Sequence, residues 1–399
     1  MAGSFQYRLR RGGQPTSVEA WRQAARRALP GMVWAYLDGH ADDGVTARAN
    51  RDAFARWRLR QRVLTGHAAP DLRTTVAGQA LSMPLALAPT GLTGLSHWSG
   101  DVACARAAEA AGTRLVLSTA SSYTLEEVSA AAREPHWFQL YPFGDRAFVS
   151  AMLERARQGG YGALFVTVDV PVRGNREAEA VHGMTVPPTL TPASVFDAAL
   201  HPAWWWNLLR HRRLAAANYV SSGLRGARAA VQSVRAQERF MQADLNWDDL
   251  AWMRDQWRGP LYIKGLTDPD DAQRAVDGVG VDGLVVSNHG GRQLDSMLAT
   301  ADALPAIAER VGDRCEVLLD GGIRRGTDVV KALCLGARGV FIGRPYVYGL
   351  AADGEVGVRS VLALLRAEIE RALVLMGCPG VSQLDRSWLL PSTTGSDSP

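Results

Sequence analysis

The chain has 399 residues, 47% of them hydrophobic and 21% charged, which allows one large α/β barrel or two smaller domains around an ordinary core. A net charge of +4, carried by arginine far more than lysine, is too small to argue for a nucleic-acid partner, and no apolar run approaches the ~18 residues of a bilayer-spanning helix. The four cysteines, Cys104, Cys315, Cys334 and Cys378, show no CxxC spacing and read as reduced, buried residues, not as a disulfide frame or zinc site.

The N-terminal MAGSFQYRLRRGGQP is basic with no apolar stretch behind it, so it does not read as a signal peptide. Residues 1–80 form an N-terminal extension with two helix-like patterns, SVEAWRQAARRAL and NRDAFARWRLR, expected to close the base of the main fold or reach its rim. Short apolar runs ending in turn residues then recur: PLALAPTG (84–91), RLVLST (114–119), HWFQLY (136–141), ALFVTVDVP (163–171), LYIKG (261–265), GLVVSNHGG (283–291), EVLLDGG (316–322) and GVFIGRP (339–345). Helical patterns such as GDVACARAAEAAG, AFVSAMLERARQGG and TDVVKALCLGA lie between most of them and commonly stop at glycine. That alternation predicts a parallel sheet, and eight units predict an α/β fold of the (β/α)8 TIM-barrel type over 81–380. About 90 residues separate the fourth and fifth runs, where roughly 20 to 35 separate the others. A long insertion, placed at 178–245, is therefore expected after strand 4, on the side that carries active sites. Residues 381–399 read as a C-terminal tail, disordered over the polar PSTTGSDSP.

In such a barrel the chemistry gathers where strands end. The ends present Thr90 and Gly91, Ser118, Gln139 and Tyr141, Thr167 and Asp169, Lys264, Ser287 with His289 and Arg292, Asp320 with Arg324, and Gly343 with Arg344. A barrel without a site would show polar ends at some strands by chance, not at nearly all. SNHGGRQLD (287–295) is the densest of them, with Asn288, His289, two glycines and Arg292 in succession after a buried run. DGGIRRGTDVV and GVFIGRP offer glycine-rich backbone N–H groups, arginines and a helix N-terminus, a setting suited to a phosphate dianion.

In this order the motifs resemble the FMN-dependent 2-hydroxy-acid oxidase and dehydrogenase family. SNHGGRQLD matches its active-site signature, and APTG, LST, FQLY, TVD with GNRE, YIKG, DGGIRRGTD and GVFIGRP all fit, from about residue 20 to 380. LSTAS (117–121), the HPAWWW insertion and NWDDLAWMRDQW are most similar to the bacterial (S)-mandelate dehydrogenase branch. The resemblance implies FMN as cofactor, no metal, and oxidation of an (S)-2-hydroxy acid to the 2-oxo acid. It implies His289 as the base, taking either the Cα proton or the hydroxyl proton, with Asp169 orienting it. Arg292 and Arg176 would bind the substrate carboxylate, and Tyr36 and Tyr141 would hydrogen-bond it or the hydroxyl. Lys264 would stabilise charge on the reduced flavin. Ser118, Gln139, Thr167, Ser287 and the backbone at Thr90 and Gly91 would contact the flavin. Gly322, Arg324, Gly343 and Arg344 would hold its phosphate, with Asp320 on the ribityl chain. His40 departs from the glycine usual in the nearest relatives, close to Tyr36.

Ala120 stands where glycolate-type members usually carry tryptophan, which leaves room for an aryl, mandelate-like substituent. Gly91 stands where oxidases often show alanine, a hint against O2 as acceptor. The resemblance thus implies a dehydrogenase passing electrons to a membrane quinone; the alternative is an oxidase of hydroxymandelate or lactate type, reducing O2 to H2O2. In the insertion, His201 to Phe240 contains seven arginines against one acid, Glu238. Tryptophan anchors with basic side chains describe a segment lying on a membrane over 201–240. The competing reading is a lid or oligomer contact with the tryptophans packed inside. The expected location is peripheral, on the cytoplasmic side of the inner membrane, and the expected assembly is a homotetramer.

Overall fold

The computed structural model describes residues 14–142, 145–185, 189–220, 226, 228–233 and 244–392. Its eight central strands are β1 (Leu85–Leu87), β2 (Val116–Ser118), β3 (Trp137–Leu140), β4 (Leu164–Thr167), β5 (Leu261–Leu266), β6 (Gly283–Val286), β7 (Glu316–Asp320) and β8 (Gly339–Ile342). They fall on the eight apolar runs, β5 reaching one residue beyond its run, and pair in the order β1-β8-β7-β6-β5-β4-β3-β2, all parallel. A parallel bridge between Leu87 and Leu115 closes the ring.

A pleated strand turns alternate side chains to opposite faces. Ala86, Val116, Trp137, Phe165, Tyr262, Val285, Leu318 and Phe341 therefore share the axis and form one buried cluster. Their neighbours, such as Leu117, Phe138, Val166 and Ile263, belong to the larger core under the helices. Aromatic rings fill the axis: Phe165 stacks on Tyr262 at 4.7 Å and meets Phe341 edge-on at 5.5 Å. The interior is a packed core, not a pore.

The base of the barrel is closed by a hairpin, Thr74–Val76 with Gln79–Leu81, which inserts Val76, Ala77 and Leu81 into the axial cluster. The N-terminal helices serve elsewhere. Val18–Ala28 packs along the final helix, Arg344–Met376, which kinks at Asp353 and Gly354. Helices Gly31–Asp38 and Val45–Asp52 lie beside the opposite rim, where their residues meet the loop after β6.

Three expectations need correction. NRDAFARWRLR is not one helix: the helix stops at Asp52, a 3-10 turn comes next, and Trp57–Leu59 is a strand antiparallel to Leu389–Pro391. The stretch from 381 is accordingly not a loose tail as far as 392, because that pairing satisfies its backbone and Trp388 is buried; residues 393–399 of PSTTGSDSP lie outside the described residues. The three tryptophans of HPAWWW do not act alike. On helix Pro202–His211 the indole of Trp204 turns inward and donates to the Leu95 carbonyl at 2.7 Å, Trp205 packs edge-on to it, and only Trp206 faces out, 66% exposed. Successive helix positions rotate by about 100°, so three adjacent indoles cannot share one face. Parts of the 201–240 stretch (221–225, 227 and 234–240) lie outside the described residues. The cysteines are free; Cys315 is only half-buried and the other three are buried.

The aromatic axis should be the costliest place to remove volume. Phe165→Ala is expected to destabilise the protein by about 3–5 kcal/mol in urea unfolding; a loss below ~1 kcal/mol would mean the axis is loosely packed.

Candidate active site

The phase that places Val116, Trp137, Phe165, Tyr262, Val285, Leu318 and Phe341 on the axis places Ser118, Gln139, Thr167, Lys264, Ser287, Asp320 and Gly343 one layer higher, toward the C-terminal mouth. Within that layer the Lys264 ammonium lies 2.9 Å from Asp320 Oδ2 and donates to Ser287 Oγ at 2.9 Å, while Ser118 donates to Gln139 Oε1 at 3.0 Å. Burial acts to lower the Lys264 pKa, but Asp320 and Asp169 outweigh it and raise it, so the ammonium keeps its charge.

Two residues further on come Tyr141, Asp169 and His289. His289 (φ 57°) is followed by Gly290 and Gly291 at 65° and 72°, three left-handed residues in a row. That conformation is costly for a residue with a side chain, so something must impose it. Asn288 and Asn50 exchange two side-chain hydrogen bonds of 2.8 and 2.9 Å, both fully buried, and Ser287 Oγ accepts from the His289 N–H at 3.1 Å. Gly291 lies so close to helix Val45–Asp52 that a Cβ there would come within 2.6 Å of the Ala47 nitrogen. The N-terminal extension thus moulds the loop after β6.

The strained loop sets His289 Nδ1 3.0 Å from Asp169 Oδ1, with the Tyr141 hydroxyl 3.4 Å from Nε2. Asp169 fits beside β5 because Gly265, at a register shift with φ 111°, has no Cβ; one would meet the aspartate side chain at 2.6 Å. Burial lowers the His289 pKa, and Lys264 and Arg176 reinforce it against the opposing pull of Asp169, which keeps the imidazole neutral. Burial acts to raise Asp169, but His289 and Lys264 outweigh it and hold the carboxyl below its ordinary value. An ionised carboxylate can only accept, so Nδ1 carries the imidazole proton and Nε2 is the free base.

Two guanidinium groups cap the C-terminal end of helix Gly31–Asp38, where free carbonyls and the helix dipole favour cations. Arg292 Nη1 donates to the carbonyls of Tyr36 (2.8 Å) and Gly39 (2.9 Å), and Arg344 Nη2 donates to Gly39 as well (2.6 Å). Arg292 Nη2 donates to Glu179 at 2.9 Å. Of its five N–H donors, this leaves Nε–H and one Nη2–H without a partner among the described residues, two donors suited to a carboxylate. Arg176 is anchored through Nε to the Arg292 carbonyl (3.1 Å) and through Nη2 to Gln293 (3.0 Å). Burial, and then Arg292, bring its pKa down to about 10, still cationic at neutral pH. The Tyr36 hydroxyl donates to Gly91 O at 3.2 Å, and its ring lies under Arg292. His40 stays beside its own backbone, 3.3 Å from Ala41 O, and leaves Tyr36 in the site. Arg324 is the outlier, with its guanidinium on the Ile323 carbonyl and felt by Arg344 only as a neighbouring charge. Thr90 Oγ1 turns back to Ala88 O at 3.5 Å, and Gly322 stands two residues past Asp320.

The sequence reading missed two residues. Glu179, with a side chain 2% exposed, sits among three arginines: 2.9 Å from Arg292, 2.6 Å from Arg173 and 3.8 Å from Arg176. The available signal was an acid three positions after Arg176 in GNREAEAV, on one face of a short helix. Gln293, inside SNHGGRQLD, donates to the carbonyls of Asp169 (3.1 Å) and Val172 (2.8 Å) and accepts from Arg176, tying the loop after β4 to the loop after β6.

Gln139 Nε2, Thr167 Oγ1, Asp169 Oδ2, Asp320 Oδ1 and Arg344 Nε are buried with no hydrogen-bond partner among the described residues. Leaving a buried polar atom unpaired costs about 1–3 kcal/mol, so several at one mouth indicate a ligand that supplies partners. A Cβ on Gly343 would make only an ordinary contact among the described residues, 3.9 Å from the Ala88 Cβ. No group of three or more metal-ligating side chains converges among the described residues.

Residues 25–391 match the family described as FMN-dependent dehydrogenase. The chain is similar to an L-lactate dehydrogenase of Caulobacter vibrioides, 45% identical over 374 residues that cover 94% of this chain and 97% of that one. It is also similar to the (S)-mandelate dehydrogenase of Pseudomonas putida, 41% identical over 375 residues, 94% of this chain and 93% of that one. The crystal structure of the monotopic membrane protein (S)-mandelate dehydrogenase superposes with a TM-score of 0.91 at 39% identity, covering 95% of this chain and 100% of that one.

Removing Glu179 leaves buried guanidinium groups without their anion. Glu179→Ala is expected to cost about 3–5 kcal/mol in denaturant unfolding, the usual penalty for breaking a buried pair. A cost below ~1 kcal/mol would show that water already screens the cluster.

Proposed function

This chain belongs to the FMN-dependent dehydrogenase family, and on that premise we propose that it oxidises a mandelate-like (S)-2-hydroxy acid to the 2-oxo acid and passes the electrons to a membrane quinone. The reading rests on one observation: a neutral imidazole and two guanidinium groups converge above a layer of buried polar atoms that lack partners among the described residues. FMN fits that layer. Ser118, Gln139, Thr167 and Ser287, with the backbone at Thr90 and Gly91, would meet the ring system, and Lys264 would set a fixed positive charge against it. Asp320 would take the ribityl chain, and Gly322, Arg324, Gly343 and Arg344 the phosphate. When bound, FMN takes up the two electrons of the oxidation.

The chain's own groups bind, orient and move a proton. The open pair of N–H donors on Arg292, together with Arg176, receives the substrate carboxylate; Tyr36 and Tyr141 fix its rotation. His289 Nε2 accepts a proton from the substrate, and Asp169 stabilises the imidazolium that forms. The small Ala120 side chain, next to Gly91, supports an aryl group over the bulk that a tryptophan would bring there. The Caulobacter relative favours a second reading, a lactate-type substrate in the same site. Flavin bleaching under anaerobic conditions with mandelate and L-lactate separates the two. Peroxide formation in air, set against reduction of a quinone analogue, separates a dehydrogenase from an oxidase.

The outer face of the insertion supports a membrane surface as partner. Phe196, Leu200, Trp206 and Leu209 are each more than 60% exposed, flanked by exposed Arg210 and Arg212, whereas Arg213 turns back to Glu127 at 2.8 Å. No helix among the described residues is long and apolar enough to cross a membrane. A solvent-facing apolar patch rimmed by basic residues is suited to an anionic bilayer surface. The cytoplasmic face of the inner membrane and the homotetramer belong to the same proposal; light scattering of the solubilised protein tests the latter.

His289→Ala is expected to keep FMN and lose ~10²- to 10⁴-fold in turnover; wild-type turnover would reject His289 as the base. Since the base must be neutral, kcat/KM should fall as pH drops through the His289 pKa, below the ordinary value of about 6.5. Asp169 raises that pKa, so Asp169→Asn should move the acid limb further down in pH. Replacing Phe196, Trp206 and Leu209 together by serine should shift the yellow protein from sedimented anionic vesicles to the supernatant. Co-sedimentation equal to wild type would place the membrane contact elsewhere.

A further inference from the structure

We infer that Tyr219 makes the substrate's side-chain subsite polar, and that the preferred substrate is an aryl 2-hydroxy acid carrying a neutral hydrogen-bonding group, a hydroxyl first, on its ring. The inference rests on the 2-hydroxy-acid reading above and narrows it.

The segment around Tyr219 belongs to the insertion but is bolted to the barrel mouth. The Ala217 N–H donates to Ser121 O at 2.8 Å, and Asn218 donates to Thr119 O at 3.3 Å while accepting from the Leu125 N–H at 3.1 Å. These contacts press Tyr219 against the loop after β2, the loop that carries Ala120. Tyr219 is 7% exposed, clusters with Ala120 and Ala216 beside Tyr141, and stacks on Phe148 at 5.5 Å. Both key neighbours touch the reacting region. A Cβ on Gly91 would lie 3.1 Å from the Ala120 Cβ and 3.4 Å from the Tyr36 hydroxyl, and Tyr141 lies 3.4 Å from the free nitrogen of His289.

The hydroxyl of Tyr219 is buried and has no hydrogen-bond partner among the described residues. Phenylalanine would fill the same wall and stack on Phe148 equally well, without the cost of an unpaired buried hydroxyl. Packing therefore explains the ring and not its oxygen. Burial holds the phenol protonated, well above its ordinary pKa, so it can both donate and accept but offers no charge. That chemistry matches a neutral polar substituent better than a second carboxylate. The ring on which such a substituent would sit is the aryl group that the 2-hydroxy-acid reading places beside the small Ala120 side chain. A site with a buried polar group penalises the analogue that leaves it unpaired.

The test compares kcat/KM for 3- and 4-hydroxymandelate, mandelate and L-lactate, with a quinone analogue as acceptor, in the holoenzyme and in Tyr219→Phe. In the wild type at least one ring-hydroxylated acid should exceed mandelate by about tenfold or more, the worth of one buried hydrogen bond. In Tyr219→Phe that ratio should collapse to within about threefold of one. The wild-type ratio stands by itself should the variant lose its flavin. A wild type without the preference, or a preference that persists in Tyr219→Phe, overturns the inference and leaves the hydroxy-acid reading in place. Turnover of L-lactate alone has the same effect. Reduction of the flavin by none of the four acids overturns both.

Discussion

Closure of the barrel fixes which way every strand side chain points. The pleat sets a period of two, and hydrogen bonding to both neighbours leaves no strand free to slip, because a one-residue shift would drive its axial side chains out among the helices. Once Phe165 and Tyr262 stack on the axis, Thr167 and Lys264 must stand one layer above them and Asp169 one layer above that. The apolar layer is therefore the foundation of the polar one. It also gives the polar layer a dry floor, on which a charge such as Lys264 persists only because Asp320 and Asp169 answer it.

Above that floor, charges are held by opposition and not by solvent. Burial pushes His289 toward neutrality while Asp169 stays ionised beside it, and Glu179 offsets part of the positive charge of three arginines. The cluster retains an excess of positive charge, which an incoming carboxylate would relieve. The left-handed run at His289, Gly290 and Gly291 is strain confined to one loop, borne by the buried amide pair of Asn50 and Asn288 and by the contact with Ala47.

The insertion joins inner and outer surfaces. Its first helix carries Glu179 into the arginine cluster, its 216–219 segment lines the mouth beside Tyr141, and helix Pro202–His211 turns Trp206 and Leu209 outward. A contact on the outer face would thus fall on the same insertion that also reaches the site.

Periodicity was enough to determine eight buried strands, their parallel pairing and the polar residues at their ends, since these depend on residues two or a few positions apart. The phase from Phe165 to Thr167 to Asp169 is legible in the string itself. Glu179 against Arg292, Tyr36 O against Arg292 and Asn50 against Asn288 join residues 113, 256 and 238 positions apart, and no local pattern announces such partners. The inward turn of Trp204 and the unpaired hydroxyl of Tyr219 were hidden for the same reason. Local chemistry decides what a segment becomes, but which groups share a buried space is settled only when the chain closes on itself.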